Sequence, residues 1–168
     1  MQDLRYRDAV EQDLEKIVAI YNSTIASRMV TADTEPVTVA SRQKWFSEHN
    51  PTLRPLWMIS DADNRIVGWV SFQDFYGRPA YRGTAEISIY LDESCRGKGY
   101  GKAVLAHCLN EAPKHEIKTL LGFIFSHNLP SIKLFQHFGF TEWAHLPDIA
   151  VLDEQERSLS ILGKRLVP

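Results

Sequence analysis

Three glycines at alternate positions, Gly97, Gly99 and Gly101, punctuate the stretch IYLDESCRGKGYGKA. Glycine accepts a left-handed backbone and lets the chain approach a ligand closely. Before them, Ile87, Ile89 and Leu91 alternate with Ser88 and Tyr90, the pattern of a strand with one apolar face. Asp92 to Ser94 turn the chain, and the glycines open a helix. Amides left unpaired in such a turn and in the first turn of a helix converge on an anion, phosphate above all. Arg96 and Lys98 stand ready to add positive charge, or face solvent. Two familiar phosphate loops are excluded. Gly101-Lys102 is followed by Ala103 where a mononucleotide loop needs Ser or Thr, and the glycine spacing is not that of a dinucleotide fingerprint. A second chemistry-bearing group lies upstream. Glu86 shares the polar side of the strand with Thr84 and Ser88, where a carboxylate accepts protons or simply meets water. The third is Gln73 to Gly83, QDFYGRPAYRG, which gathers Phe75, Tyr76, Tyr81, Arg78 and Arg82. Rings and guanidiniums of this kind suit a small anionic ligand, a subunit contact, or both.

These groups need a frame. Leu4 to Arg7 alternates as a first strand, and Leu14, Ile17, Val18 and Tyr21 give Asp8 to about Asn22 a helical apolar face. Asn22 to Pro36 has no strong period and reads as a long polar connection. Thr38 caps a helix running to about His49. Leu56 to Ser60 and Ile66 to Phe72 read as strands joined by the turn Asp61 to Asn64. The central strand is Thr84 to Leu91, and a helix from Lys102 to about Glu111 follows it. Thr119 to Phe125 is a nearly all-apolar strand. Asn128 caps a helix from Pro130 to His137, which Gly139 ends. Phe140 to Ala144 begins another strand, and Ile149 to Val151 pairs with Ser158 to Leu162 as a closing hairpin around Asp153 to Glu156.

The segment Arg96-Gly97-Lys98-Gly99-Tyr100-Gly101 resembles the pyrophosphate loop of the GNAT N-acetyltransferases, with its Arg/Gln-x-x-Gly-x-Gly/Ala signature. Asn128-Leu129-Pro130-Ser131, followed by Leu134 to Phe140, is similar to that family's last helix and its exit. The order β-α-α-β-β-β-α-β-α-β-β is the family layout as well. The resemblance implies an α/β (mixed α+β) GNAT fold over residues 1–168 as one domain, with a central mixed twisted sheet and helices on both faces. Ala19 to Asn22, Thr34 to Pro36, Tyr81 to Glu86 and Ile89 to Leu91 narrow it towards the phosphinothricin/methionine sulfoximine acetyltransferases.

For the site, the resemblance implies acetyl-CoA as cofactor. Its pantetheine arm would lie along Ile89, Tyr90 and Leu91, and its pyrophosphate on the amides from Gly97 to Lys102, with Asn128 and Ser131 beyond. Glu86 matches the glutamate that serves the branch as general base, and the amide of Tyr90 or Leu91 is the expected oxyanion donor. Arg78 or Arg82 would hold a substrate carboxylate, with Phe75, Tyr76 and Ser88 around the acceptor. A homodimer with the Gln73 to Gly83 loop at the contact is also implied. Two departures stand out. Phe135 occupies a place where many relatives carry a proton-donating tyrosine, and Ala150 to Arg157 lacks the branch's usual tail motif. Other amines, such as polyamines or protein N-termini, remain open as acceptors, as does a silent acyl-CoA-binding module.

Composition is compatible with this reading. The 168 residues are 44% hydrophobic and 24% charged, an ordinary globular mixture. A formal charge of −2 gives no electrostatic case for nucleic acid or a membrane surface. The first residues, MQDLRYRDAVEQD, lack a signal peptide's apolar core, and Cys95 and Cys108 are expected as free thiols in the cytoplasm. The six histidines show no metal-ligand spacing, so no metal is expected.

Overall fold

The computed structural model describes residues 2–167. Its elements are β1 (Arg5–Asp8), α1 (Leu14–Ile25), α2 (Gln43–Ser47), β2 (Leu56–Ser60), β3 (Ile66–Asp74), β4 (Thr84–Leu91), α3 (Tyr100–Glu111), β5 (Thr119–Phe125), α4 (Leu129–His137), β6 (Thr141–Leu152) and β7 (Gln155–Arg165). The strands form one seven-stranded sheet in the order β1-β2-β3-β4-β5-β7-β6. Among the described residues only β4 and β5 run parallel, which requires a crossover, and the glycine turn with α3 supplies it. Period-two alternation sorts the two faces. Leu56, Met58 and Trp69 pack under Leu14, Ile17 and Ile20 of α1. Trp57, Ile59, Phe72 and Ile87 face Val104 and Leu105 of α3. Helices therefore cover both sides, as the mixed-sheet expectation required.

Besides the second helix, which is α-helical only over Gln43–Ser47 after a 3-10 turn at Ala40–Arg42 and not from Thr38 to His49, two elements differ from the sequence expectation. The first helix both starts and ends later than Asp8 to Asn22. The Asp13 carboxylate accepts from the Val10 amide at 2.8 Å and from Arg7 at 2.7 Å, which tethers the chain ahead of α1. At the far end, the hydroxyls of Ser23, Thr24 and Ser27 donate back to the carbonyls of Ile20, Tyr21 and Thr24. A polar run thereby satisfies itself along the helix end, Ser23 and Thr24 within α1 and Ser27 in the turn after it. The second difference is β6, one 12-residue strand where two short ones were expected. Its register shifts between Leu146 and Ala150, with Asp148 at φ 52°. The hairpin turn is the pair Asp153-Glu154, both left-handed at φ 51° and 65°, as a tight two-residue turn demands.

What positions the site is the parting of β4 from β5. They pair only at Thr84↔Thr119, Ala85↔Leu120 and Glu86↔Leu121. Beyond Glu86, β4 stays paired with β3 out to Leu91, and β5 stays paired with β7 out to Phe125. The sheet opens there into a notch. One edge of β4 runs along it with its backbone groups unpaired in the ladder.

Candidate active site

A groove of about 350 Å³ fills the notch. On one side are Ile87 to Leu91 of β4, and on the other Gly122 to Phe125 of β5, with Asn128 and Ser131 beyond. Gly97, Gly99, Tyr100 and Gly101 close one end, where α3 begins. Gly97 and Gly99 both sit at φ +76°, and a Cβ built on either would meet nothing within 4 Å. The turn is thus left-handed, which favours glycine, and it fronts open space at a helix N-terminus. Amides and dipole there suit a pyrophosphate. The unpaired edge of β4 suits an amide-bearing arm that adds like a strand. Coenzyme A carries both, and the groove fits it.

The second cavity, about 260 Å³, lies on the α1 and α2 face of the same strands. Its floor is three cross-strand pairs, Trp69↔Tyr90, Ser71↔Ser88 and Gln73↔Glu86, whose side chains point one way because the strand period is two. Trp69 and Tyr90 stack at 4.7 Å, 19° from parallel. Tyr21 and Trp45 form aromatic walls, and Arg42 reaches in from the turn before α2. His49 braces the wall. Its Nδ1 donates to the Trp45 carbonyl at 2.9 Å, so Nε2 accepts from the Ser71 hydroxyl at 2.7 Å. Burial pushes its pKa down, which keeps this neutral bridge intact.

Glu86 is largely buried in this second cavity, and burial pushes its carboxyl pKa up. Ser88, the next residue on its face, lines both cavities, and so does Tyr90. A group seated beside Glu86 is therefore separated from the cofactor groove only by the side chains of β4. A largely buried carboxylate with a raised pKa, next to that shared wall, is suited to take a proton from an incoming amine.

The other residues singled out from sequence divide cleanly. Ile89, Tyr90, Leu91, Arg96, Gly97, Gly99, Tyr100, Gly101, Asn128 and Ser131 line the groove. The Arg96 guanidinium is held by Glu93, with Nε 2.6 Å from Oε2. Lys98 and Lys102 do not line the groove, and the Lys98 carbonyl instead accepts from Gln2. Asn128 accepts from the Ser131 amide as a helix cap and donates to the Met29 carbonyl at 3.1 Å. Phe75, Tyr76, Arg78 and Arg82 do not line the acceptor cavity with Glu86 and Ser88. Phe75 packs instead on Tyr76 and Tyr81 with ring centroids at 4.6 and 5.4 Å, and Arg82 pairs with Glu116. The guanidinium in the cavity is Arg42, which sequence reasoning missed, along with Tyr21, Trp45, Trp69 and Gln73. Pairing β3 against β4 in register would have found Trp69 and Gln73. Nothing local marked Arg42.

Fold and site together define a class: an acyltransferase that draws its group from a coenzyme A thioester. The chain belongs to the acetyltransferase (GNAT) family, whose model matches residues 17–140, and its activity is acetyl-CoA-dependent N-acetylation. It is 55% identical over 160 residues to YwnH of Bacillus subtilis, provisionally named a phosphinothricin acetyltransferase, covering 95% of this chain and 98% of that one. It is 32% identical to an L-methionine sulfoximine/L-methionine sulfone acetyltransferase of Pseudomonas paraeruginosa, over 85% of this chain and 83% of that one. The crystal structure of a phosphinothricin acetyltransferase from Sinorhizobium meliloti in complex with acetyl-CoA superposes with a TM-score of 0.88. It is 25% identical, covering 96% of this chain and 88% of that one.

Proposed function

We propose that the chain acetylates the α-amine of small amino-acid-like acceptors of the methionine sulfoximine or phosphinothricin type, with Glu86 as proton acceptor. The observation that carries this is the wall shared at Ser88 and Tyr90, which sets the groove with its glycine turn against a small aromatic cavity holding a largely buried carboxylate. The names of the Bacillus and Pseudomonas relatives support the acceptor class.

When bound, acetyl-CoA supplies the acetyl thioester: a C–N bond forms to the amine, the C–S bond breaks, and the thiolate leaves. The protein's share is position and protons. Glu86 takes the proton that the amine must lose, directly or through a water. Consecutive residues of a strand point their amides to opposite edges, so one of Tyr90 and Leu91 offers its N–H on the unpaired side of β4, to the carbonyl oxygen. Phe135 lines the groove and carries no proton to give, so the thiolate leaves without help from that side chain.

Coenzyme A release, measured across methionine sulfoximine, phosphinothricin, common amino acids, polyamines and peptides, tests the reading. Turnover should be fastest with the small amino-acid-like acceptors. Tight acetyl-CoA binding with no turnover on any amine would make the chain a binding module instead.

The assembly reading is a homodimer in which the Gln73 to Gly83 loop is covered. Tyr76 is 79% exposed and Tyr81 44%, an apolar ring cluster that a second copy would bury. The buried Arg54 holds the loop's base, donating to Asp74 and to the Arg82 carbonyl, each at 2.6 Å. Sedimentation velocity should show a dimer at tens of micromolar and dissociation on substituting Tyr76. A chain monomeric at that concentration and fully active overturns this assembly.

A further inference from the structure

One wall of the acceptor cavity rests on a short element. The helix α2 has five residues, too few to hold a helix by itself, yet it carries Trp45, whose ring lines the cavity. Packing of Trp45 and Phe46 on the core beneath α1 supplies part of the hold. The directional part comes from His49, just past the helix. Among the described residues, its bond to Ser71 is the one side-chain hydrogen bond that ties residues 40–49 to the sheet. The His49 ring also meets the Trp45 indole edge-on, with centroids 4.8 Å apart, and Trp45 meets Trp69 of β3 in the same manner at 5.3 Å. The polarity of the bridge is fixed. The Trp45 carbonyl can only accept, so Nδ1 of the neutral ring carries the proton and Nε2 presents a lone pair. Ser71 spends its one O–H on that lone pair. Ser71 lies in the cavity floor with no exposed surface, so its hydroxyl meets no ligand. His49 does not line the cavity at all.

We propose that His49 and Ser71 form a positioning pair: their hydrogen bond holds Trp45 at the distance from β3 and β4 that an acceptor beside Glu86 requires. The pair thus contributes to acceptor binding without touching the acceptor. This rests on the acetyl-transfer reading above and deepens it. A cavity of about 260 Å³ gives a small ligand few contacts to spare. A wall that drifts outward by about 0.5 to 1 Å forfeits roughly a quarter to a half of each dispersion contact it made. The wall meets substrate and transition state alike, so its displacement acts on KM and leaves kcat nearly untouched.

The test is a double-mutant cycle: His49→Phe, Ser71→Ala and the two together, assayed with the best acceptor of the panel above. Each single variant leaves a buried polar atom without its partner and should melt several degrees lower. The double variant removes both partners and should recover most of that loss. KM for the acceptor should behave otherwise. It should rise about tenfold in each single variant and by the same factor in the double, with kcat within about threefold of wild type. Acetyl-CoA affinity, from titration calorimetry, should stay unchanged throughout. A merely structural role would bring KM back together with the melting temperature. That result overturns the proposal, as does an unchanged KM in either single variant. Nitrogen-15 NMR reads the bridge directly. The histidine signal lost in His49→Phe should be that of the neutral Nδ1–H tautomer at pH 7.5, and the Nε2–H tautomer there would overturn the assignment. If no amine releases coenzyme A, the transfer reading falls by itself. The pair is then judged on binding of L-methionine sulfone without acetyl-CoA, followed by tryptophan fluorescence, since Trp45 and Trp69 line the cavity. Weaker binding in all three variants upholds it; equal binding, or none by wild type, overturns it.

Discussion

The cofactor groove takes its shape largely from backbone: a strand edge left unpaired, a left-handed glycine turn and the amides of a helix start. The acceptor cavity, which shares Ser88 and Tyr90 with it, is built by side chains from α1, the chain before α2, α2 itself, β3 and β4. The groove binds what every turnover shares, and backbone amides recognise a pyrophosphate whatever the neighbouring side chains are. The cavity must choose among amines, and choice is made by placed charges and rings. Substitution should therefore act differently on the two sides, and that difference can be broken or sharpened experimentally.

The largest effect is expected on the side-chain side. Glu86→Gln keeps size and removes the proton acceptor, so kcat should fall on the order of 10²-fold or more. Acetyl-CoA affinity, measured by titration calorimetry, should stay as in wild type. Gly99→Ala should give the opposite pattern. Its methyl would sit in the open space before α3 on a backbone at φ +76°, and both strain and occupancy oppose the ligand. Affinity for acetyl-CoA should weaken roughly tenfold, about 1.4 kcal/mol, while kcat at saturating cofactor stays within about twofold. An unchanged affinity would place the pyrophosphate elsewhere and dissolve the comparison.

The smallest effect is on stability. Burial raises the Glu86 carboxyl above its ordinary 4.5 in the folded state. The stability linked to that shift is fully present below the unfolded value and is lost as pH rises through the folded one. At pH 7.5 the folded protein therefore carries a poorly solvated carboxylate, and Glu86→Gln should melt a few degrees higher, with the gap closing below about pH 4.5. Calorimetric scans at both pH values check this. A variant that melts lower at pH 7.5 would mean that the carboxylate makes a stabilising contact there.

The same contrast explains what was legible from sequence. The groove is local: the strand, turn and helix from Ile87 to about Lys102 are consecutive, and glycine spacing announces them. The strands β2, β4 and β5 were readable to the residue because β2 and β5 carry apolar runs and β4 a regular alternation, each bounded by breakers. The first helix was misjudged at its end, where Ser23, Thr24 and Ser27 looked like loop residues and instead bond back along the helix. In the acceptor cavity, Glu86 was legible because it shares a strand with the groove. Arg42 lies 44 positions before it in sequence and meets it only in the fold, where it contacts Asp33 and Tyr21. Arg78 and Arg82 drew attention by clustering with aromatics, but the loop turns them away from the cavity of their own chain.

The claim at the centre is that a largely buried Glu86 takes the amine's proton beside the wall that the two cavities share. The pH dependence of kcat/KM for wild type and Glu86→Gln, with the same acceptor, tests it most directly. Wild type should show an acidic limb whose midpoint lies above the ordinary carboxyl value of 4.5, because the desolvated base must ionise before it can act. The variant should lose that limb and show only the acceptor's own amine ionisation, with its deficit shrinking as pH approaches the amine's pKa. Two profiles of the same shape, with near-normal turnover in the variant, would contradict the account.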